Sequence, residues 1–151
     1  MAPRPQVVVR PVGRDERAAW EPLWDGYLKF YNADLPPENS DITWIRLHDA
    51  AEPMHVLGAY VDDKLTGIVH YLFHRSTWMP DDYCYLQDLF VEDSARGLGL
   101  GRALIEAVYE KAREAGSTRV YWLTHETNAQ ARTLYDKVAE NLGFVQYRKT
   151  L

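Results

Sequence analysis

Two arginines and three glycines in the middle of the chain form a pattern suited to binding an anion. Arg96 and Arg102 bracket a turn that contains Gly97, Gly99 and Gly101. Glycine lets a backbone approach a ligand closely and adopt φ values that other residues avoid. An apolar run precedes this turn, and apolar residues at helical spacing follow it. Because the first N–H groups of a helix lack internal partners and lie at its positive end, the junction predicts a phosphate site.

Two common phosphate-binding motifs do not fit this turn. A Walker loop ends in Gly-Lys-Ser/Thr, whereas Gly101 is followed by Arg102 and Ala103. A dinucleotide fingerprint needs a third glycine at the position that Leu104 occupies. A tight strand-to-helix connection without a ligand is the alternative that the pattern leaves open.

A second candidate pair, Asn128 and Tyr135, lies closer to the end of the chain. Asn128 is placed to cap a predicted helix, and Tyr135 follows two turns into it. Ala131 and Tyr135 would then share one face of that helix. By spacing alone, Tyr135 also fits an aromatic residue of the core, packed beside Leu134 and Val138.

The helices and strands that must position these residues are predicted from hydrophobic periodicity and from the glycines and prolines that mark their ends. Strands are predicted over 7–12, 55–61, 65–74, 84–91, 119–123 and 144–149, and helices over 20–31, 40–47, 99–114 and 129–138. Pro22 means that the first helix begins near Trp20 or kinks there. Gly116 should end the third helix. The order β-α-α-β-β-β-α-β-α-β indicates a mixed α+β (α/β) fold in a single domain, residues 1–151.

Composition excludes several classes of function. The 151 residues are 46% apolar and 26% charged with a net charge of −5, which disfavours a nucleic-acid partner. A single cysteine, Cys84, excludes an internal disulfide, and its apolar strand indicates a buried side chain. No metal-ligand spacing is found among the five histidines, His48, His55, His70, His74 and His125. Without a signal sequence or a membrane span, the expectation is a cytoplasmic protein with no metal and no membrane partner.

The sequence Arg96-x-x-Gly99-x-Gly101 resembles the acetyl-CoA pyrophosphate loop of the GNAT superfamily of N-acetyltransferases. The predicted element order also resembles the GNAT fold, in which a central, mostly antiparallel sheet is flanked by helices. The sequence at 85–91 and 122–128 is similar to that of the branch that acetylates polyamines, histones and D-amino acids. This branch includes spermidine/spermine acetyltransferase and the Hpa-type enzymes. The resemblance implies an acetyl-CoA-dependent N-acetyltransferase.

The resemblance implies roles for individual residues. The edge of the central strand would pair with the pantetheine amides of the cofactor through Leu89, Phe90 and Val91. The turn would hold the pyrophosphate through Arg96, Gly97, Leu98, Gly99, Leu100, Gly101 and Arg102. Asn128 would contact the cofactor arm. Tyr135 would lie near the cofactor sulfur and protonate the leaving thiolate as general acid.

The sequence departs from the family pattern at the general base. In spermidine/spermine acetyltransferase a Glu on the central strand is proposed for this role, and Gln87 stands at that position here. Asp88 is a carboxylate, but regular alternation along a strand would aim it away from the side that Gln87 serves. His125, near a strand end, has a suitable pKa for the role, although a solvent-exposed loop histidine is the simpler interpretation.

The amine pocket is expected between the first helices and the central strands. The candidate substrate-binding residues are Tyr27, Tyr31, Gln87 and Asp25. Further candidates are Trp24, Trp44, Tyr71, Asp34, Glu38, Asp81 and Asp82, although the aromatic residues also fit the core and the acids a solvated surface. The expected acceptor is a polyamine, an amino acid or a similar small cationic amine. The alternatives are a protein lysine, or a non-catalytic acyl-CoA-binding sensor. The resemblance also implies a homodimer, with the predicted strand 144–149 as an edge for pairing.

Overall fold

In a computed structural model, which describes residues 3–151, a five-stranded sheet separates two layers of helices. The strands are β1 (Val7–Pro11), β2 (Met54–Val61), β3 (Lys64–His74), β4 (Tyr83–Val91) and β5 (Val120–Tyr121). The helices are α1 (Arg17–Phe30), α2 (Pro37–Leu47), α3 (Leu100–Glu114) and α4 (Ala129–Val138). Short 3₁₀ turns, Arg14–Glu16 and Asp93–Ala95, precede α1 and α3. Among the described residues, no helix combines the length and the apolar character that crossing a bilayer requires.

The sheet has the strand order β1-β2-β3-β4-β5. The first four strands pair antiparallel with their neighbours, and β5 pairs parallel to β4. Pro11 lies on the edge strand β1, where a missing N–H costs no ladder hydrogen bond. The mixed fold class and the mostly antiparallel sheet predicted from the sequence are therefore confirmed.

Each face of the sheet has its own apolar core. On one face, Leu57, Val69 and Leu86 pack with Leu104 and Ile105 of α3, and all five side chains are buried. On the other face, α1 and α2 contribute three tryptophans to a cluster with strand residues, namely Trp20, Trp24 and Trp44. α3 is amphipathic because its apolar residues recur every three to four positions, so that one stripe covers the sheet.

A β-bulge interrupts β4 at Gln87. His70 of β3 pairs with Asp88, but the next residue, Tyr71, pairs with Leu86, so that Gln87 has no partner in the ladder. Such an extra residue reverses which face the following side chains occupy. Leu86 packs on the α3 side, whereas Phe90 packs on the α1 side, four residues further along.

The start of two helices differs from the sequence prediction. α1 begins at Arg17 and continues through Pro22. The acceptor that Pro22 leaves unused is the carbonyl of Ala18, and both residues are exposed, so that water can replace the missing bond. α2 begins at Pro37 and not at Ser40, because a proline in the first turn has a suitable φ and no N–H to leave unpaired.

The predicted C-terminal strand, 144–149, is wrong for the single chain. After α4, residues 139–151 form no helix or strand. Phe144 and Tyr147 are 90% and 92% exposed. Their aromatic and β-branched neighbours favour a strand, but a strand needs a partner edge, and this segment pairs with none in residues 3–151. The strand predicted over 119–123 is also shorter than expected, with two residues.

Candidate active site

The N-terminus of α3 presents unpaired donors. Gly99 is its N-cap residue, with φ 71°, a left-handed conformation that favours glycine. The N–H of Ala103 donates to the Gly99 carbonyl at 3.0 Å, which closes the first turn. The N–H groups of Leu100, Gly101 and Arg102 therefore have no acceptor within the helix, and no side chain caps it. With the helix dipole, this end can bind an anion.

The arginines beside this turn are exposed and only weakly engaged. Arg96 pairs with Asp93 at 2.9 Å and Arg102 with Glu106 at 2.9 Å. Exposed pairs of this kind contribute little to stability, so that both guanidinium groups can turn to an incoming phosphate. A Cβ built on Gly99 would meet nothing within 4 Å, which shows open space in front of the turn.

Gly97 and Gly101 have different structural roles. Gly97 has φ 85° and open space around its Cα, as Gly99 has. Gly101 has ordinary helical geometry, and a Cβ there would lie 3.4 Å from Cδ2 of Leu134. A Cβ at Gly101 would therefore make an ordinary contact with α4, whereas the first two glycines shape the turn.

A cleft opens between β4 and β5. The two strands pair only at Cys84 and Tyr85, whereas β4 continues to Val91. On the β5 side, no strand in residues 3–151 pairs with the second half of β4. The backbone groups of Leu89 to Val91 thus lie on an open edge that leads towards the α3 turn. Such an edge can pair with an extended ligand that carries amide groups.

Tyr135 packs beside the segment that follows β5. Its ring packs edge-on against Trp122, with centroids 5.4 Å apart. Burial raises the pKa of the Tyr135 hydroxyl, and the neighbouring Tyr31 adds to the rise. The hydroxyl therefore stays protonated at neutral pH and has a proton to donate. The side chain also packs against the α3 core, so that a core contact and a functional role coexist.

Asn128 occupies the N-cap position of α4, as predicted, but its side chain forms no capping hydrogen bond. Its Nδ2 group donates to Oγ1 of Thr124 at 3.4 Å. The expected capping role is therefore wrong, because the side chain turns to the segment that follows β5.

Asp88 lies on the α1 face of the sheet. Nε1 of Trp20 donates to Nε2 of His70 at 3.0 Å, and Nδ1 of His70 lies 3.0 Å from Oδ2 of Asp88. The expectation from regular strand alternation did not include the bulge at Gln87, which sets the face that Asp88 occupies. Sequence reasoning therefore missed this group, and no residue pattern signals the bulge.

A run of aromatic rings connects α1 with the far wall of the cleft. The centroids of Tyr27 and Tyr31 are 4.9 Å apart, and those of Tyr31 and His125 are 5.9 Å apart. Burial and the charge of Asp88 raise the pKa values of Tyr27 and Tyr31. The structure thus brings Tyr27 and Tyr31 together on one face of α1.

Other predicted pocket residues lie elsewhere. Tyr71 is buried in the α3 core, on the opposite face from α1, and does not line this pocket. Trp24 and Trp44 are core residues. Asp25 and Gln87 are exposed, on α1 and at the bulge. The remaining acidic candidates are spread over the surface: Asp34, Glu38 and Asp81 are exposed, and Asp82 pairs with Arg75 at 3.3 Å.

A groove of about 820 Å³ lies at the other end of α3 and is separate from this site. Its lining includes His55, Tyr71, Lys111 and Glu114 but none of the cleft residues. Lys111 and Glu114 belong to the last turns of α3, whereas the anion-binding turn is at the first. The unpaired donors and the open strand edge, and not this groove, therefore define the candidate site.

Comparison with known sequences identifies one family profile and several similar proteins. The profile of the acetyltransferase (GNAT) family matches residues 20–140. The D-amino-acid N-acetyltransferase HPA3 of Saccharomyces cerevisiae is 36% identical over 148 residues, which cover 95% of this chain and 91% of that protein. The thialysine N-epsilon-acetyltransferase of Caenorhabditis elegans is 31% identical over 85 residues, 56% of this chain and 52% of that protein. The L-ornithine N5-acetyltransferase NATA1 of Arabidopsis thaliana is 24% identical, over 86% of this chain and 52% of that protein.

Solved structures share the fold at low sequence identity. A ribosomal-protein-alanine N-acetyltransferase from Brucella melitensis biovar Abortus 2308 has a TM-score of 0.80 and 20% identity, covering 97% of this chain and 100% of that one. The aminoglycoside N-acetyltransferase AAC(6')-Iy, solved with CoA, has a TM-score of 0.81 and 17% identity over the full length of both chains. These likenesses extend the agreement in fold to both ends of the described chain.

Proposed function

Because this chain belongs to the acetyltransferase (GNAT) family, we propose that it transfers an acetyl group from acetyl-CoA to the primary amine of a small cationic acceptor. The observation that carries the proposal is the α3 turn, where three unpaired N–H groups and a left-handed Gly99 face open space. The open edge of β4 begins beside this turn, so that one extended ligand can reach both.

The residues of the cleft fit the chemical groups of acetyl-CoA. The N–H groups of Leu100 to Arg102 suit its pyrophosphate, with Arg96 and Arg102 supplying formal positive charge. The edge of β4 from Leu89 to Val91 suits the two amides of its pantetheine arm. Asn128, which no capping bond engages, would contact the same arm.

The bound donor would supply a thioester carbonyl that a neutral amine can attack. As the C–N bond forms and the C–S bond breaks, the nitrogen would release one proton to solvent. Around that carbonyl, this chain contributes hydrogen-bond donors and a proton for the leaving group. The bulge at Gln87 takes backbone groups out of the β3–β4 ladder. An N–H group that is released in this way can stabilise negative charge on the carbonyl oxygen. A phenol is protonated at neutral pH, and burial raises the pKa of Tyr135 further, so that its hydroxyl has a proton that it can donate to a leaving sulfur.

The class of acceptor is supported by the relatives and by charge. The relatives with 36%, 31% and 24% identity are named for D-amino acids, thialysine and L-ornithine, which are small molecules with a primary amine. The net charge of −5 favours a cationic partner over an anionic one. Tyr27 and Tyr31 would form the apolar walls of the acceptor pocket.

Two measurements test this proposal. At about a hundred times its Kd, a ligand adds roughly 2.7 kcal/mol to stability, which for this size raises the melting temperature by about 5–11 °C. We expect acetyl-CoA to give such a shift, and free-thiol release to follow with D-lysine, L-ornithine, thialysine or 1,4-diaminobutane. An absent shift would contradict the cofactor assignment. Turnover of only neutral or anionic compounds would contradict the cationic acceptor.

We further propose that the protein acts as a homodimer in the cytoplasm. The segment 139–151 exposes Leu142, Phe144, Val145 and Tyr147, by 72% to 92% of their surfaces, and a second copy could cover them. Cys84 is the single cysteine of the sequence and is buried, so that the chain has no internal disulfide to maintain in an oxidising compartment. Sedimentation of the full chain, compared with a chain that ends at residue 140, tests the dimer.

A further inference from the structure

We propose that Asp88 is the carboxylate that binds the ammonium group of the acceptor, and that His70 is a positioning residue that holds Asp88 in place. This inference rests on the proposed acetyltransferase function and names the anion of its acceptor site. Neither residue was among the candidates that sequence reasoning placed in this site. The bulge at Gln87 brings Asp88 to the α1 face, where the aromatic residues of the pocket are.

The hydrogen bonds around His70 fix its tautomer. An indole N–H can only donate, so Nε2 of His70 must accept the bond from Trp20. The ring hydrogen of His70 is therefore on Nδ1, and it donates to Oδ2 of Asp88. In this arrangement His70 is neutral. It orients the carboxylate without neutralising its negative charge.

Asp88 retains hydrogen-bonding capacity. Its side chain is 13% exposed, and its hydrogen-bond partner is Nδ1 of His70. A carboxylate offers about four acceptor sites, of which this donor uses one. Among residues 3–151, no lysine or arginine forms an ion pair with Asp88. A largely buried anion without a cation is unfavourable, and an ammonium group would relieve that cost.

The surroundings favour an organic cation over a metal ion. Burial, and to a lesser extent the charge of Asp88, raises the pKa values of Tyr27, Tyr31 and Tyr85, so that three phenol groups lie within electrostatic reach of that carboxylate. Aromatic faces attract ammonium groups and their apolar stems. A divalent cation would need several oxygen or nitrogen ligands. The described part of the chain has no group of three His, Cys, Asp or Glu side chains that could hold one.

The same neighbours place Asp88 close to the proposed chemistry. Tyr31 is near enough to Asp88 and to Tyr135 to couple electrostatically with both. Asp88 also follows Gln87 directly, and the bulge there is where we place the donors for the carbonyl oxygen. An ammonium group on Asp88 would therefore lie between the acceptor pocket and the cleft of the donor.

The decisive variant is Asp88→Asn, with Asp63→Asn as its matched control. The asparagine side chain has nearly the same shape as that of Asp88 and can accept from His70, so that the fold is kept while the charge is lost. Asp63 is an exposed turn residue with φ 67°, a conformation that asparagine tolerates. The acceptor is whichever of D-lysine, L-ornithine, thialysine and 1,4-diaminobutane the wild type acetylates best.

We expect Asp88→Asn to raise the KM for that amine by about 10- to 150-fold, the effect of losing one charged hydrogen bond. The melting-temperature shift with acetyl-CoA should equal that of the control. A KM within twofold of the control, or a loss confined to kcat, would overturn the role of Asp88. If the wild type neither binds acetyl-CoA nor releases thiol with any of these amines, the proposed function itself fails.

The positioning role of His70 has a separate test. His70→Leu removes the donor to Asp88, whereas His70→Asn keeps a donor near the position of Nδ1. We expect the leucine variant to raise the amine KM by at least tenfold and the asparagine variant to restore most of the loss. Equal KM values for the two variants would overturn the positioning role, because restoring the hydrogen-bond donor with asparagine would then restore no affinity for the amine.

Discussion

Gly99 and Gly116 form a matched pair that separates the anion-binding role of the α3 turn from its backbone conformation. Gly99 precedes α3 and Gly116 follows it, with φ values of 71° and 78°. A Cβ at either position meets nothing within 4 Å, so that replacement by alanine creates strain but no collision. The two substitutions therefore impose the same backbone cost at opposite ends of one helix.

The expected loss of stability follows from that strain. A left-handed conformation costs an L-residue about 1–2 kcal/mol. For a chain of this length each kcal/mol lowers the melting temperature by about 2–4 °C, so that both variants should melt about 2–8 °C below the wild type. Thermal denaturation without ligand measures this loss, and the two variants should agree.

The two variants should differ in their affinity for acetyl-CoA. The new methyl group of Gly99→Ala would lie in the open space before the helix N-terminus, where the pyrophosphate is expected. Displacing the phosphate from one charged hydrogen bond would weaken binding about tenfold or more, whereas Gly116→Ala should bind as the wild type does. Calorimetric titration of both variants measures this. Equal affinities would refute the assignment of the α3 turn to the pyrophosphate.

Three further substitutions test the acid, the core and an electrostatic contact. Tyr135→Phe should lower turnover by about 10²- to 10⁴-fold and leave the affinity for acetyl-CoA unchanged, and unchanged thiol release would exclude Tyr135 as the general acid. Leu104→Ala should cost about 2–5 kcal/mol in urea denaturation because Leu104 is fully buried, and a loss below about 1 kcal/mol would contradict its place in the core. The hydrogen bond from Arg10, with those from Gly13 and Tyr60, lowers the pKa of Glu16 from 4.5 to about 2. Because the unfolded chain then binds more protons than the folded chain, this stabilisation is full above about pH 4.5 and is lost towards pH 2. At neutral pH the urea midpoint of the wild type should therefore exceed that of Glu16→Gln. Near pH 2 the two midpoints should agree.

The elements that sequence could predict are those with local causes. The bounds of α4 match the prediction, 129–138, and α3 lies between Gly99 and Gly116 as predicted. Glycines at positive φ mark both ends of α3, and hydrophobic spacing marks its buried face. The β2–β3 hairpin was predicted in the same way, from two apolar runs around a short polar turn.

The features that sequence could not predict depend on the partner of each strand. A bulge such as that at Gln87 is decided by pairing across two strands, and nothing in the residues 84–91 distinguishes it from regular alternation. The face of Asp88 depends on that bulge and was therefore out of reach. The segment 144–149 has the composition of a strand, but composition does not supply the neighbouring edge that a strand needs.

The two edges of the strand β4 differ from each other, and so do its two faces. One edge is paired with β3 along its length, which gives the rigidity that a site needs, while the other is open beyond Tyr85. One face packs Leu89 and Val91 against the α3 core, and the other presents Asp88 to the pocket. In a regular strand Asp88 would share a face with Leu86, inside an apolar cluster where an unpaired carboxylate is strongly unfavourable. The extra residue in β4 thus lets the strand keep an apolar core on one side and a negative charge on the other.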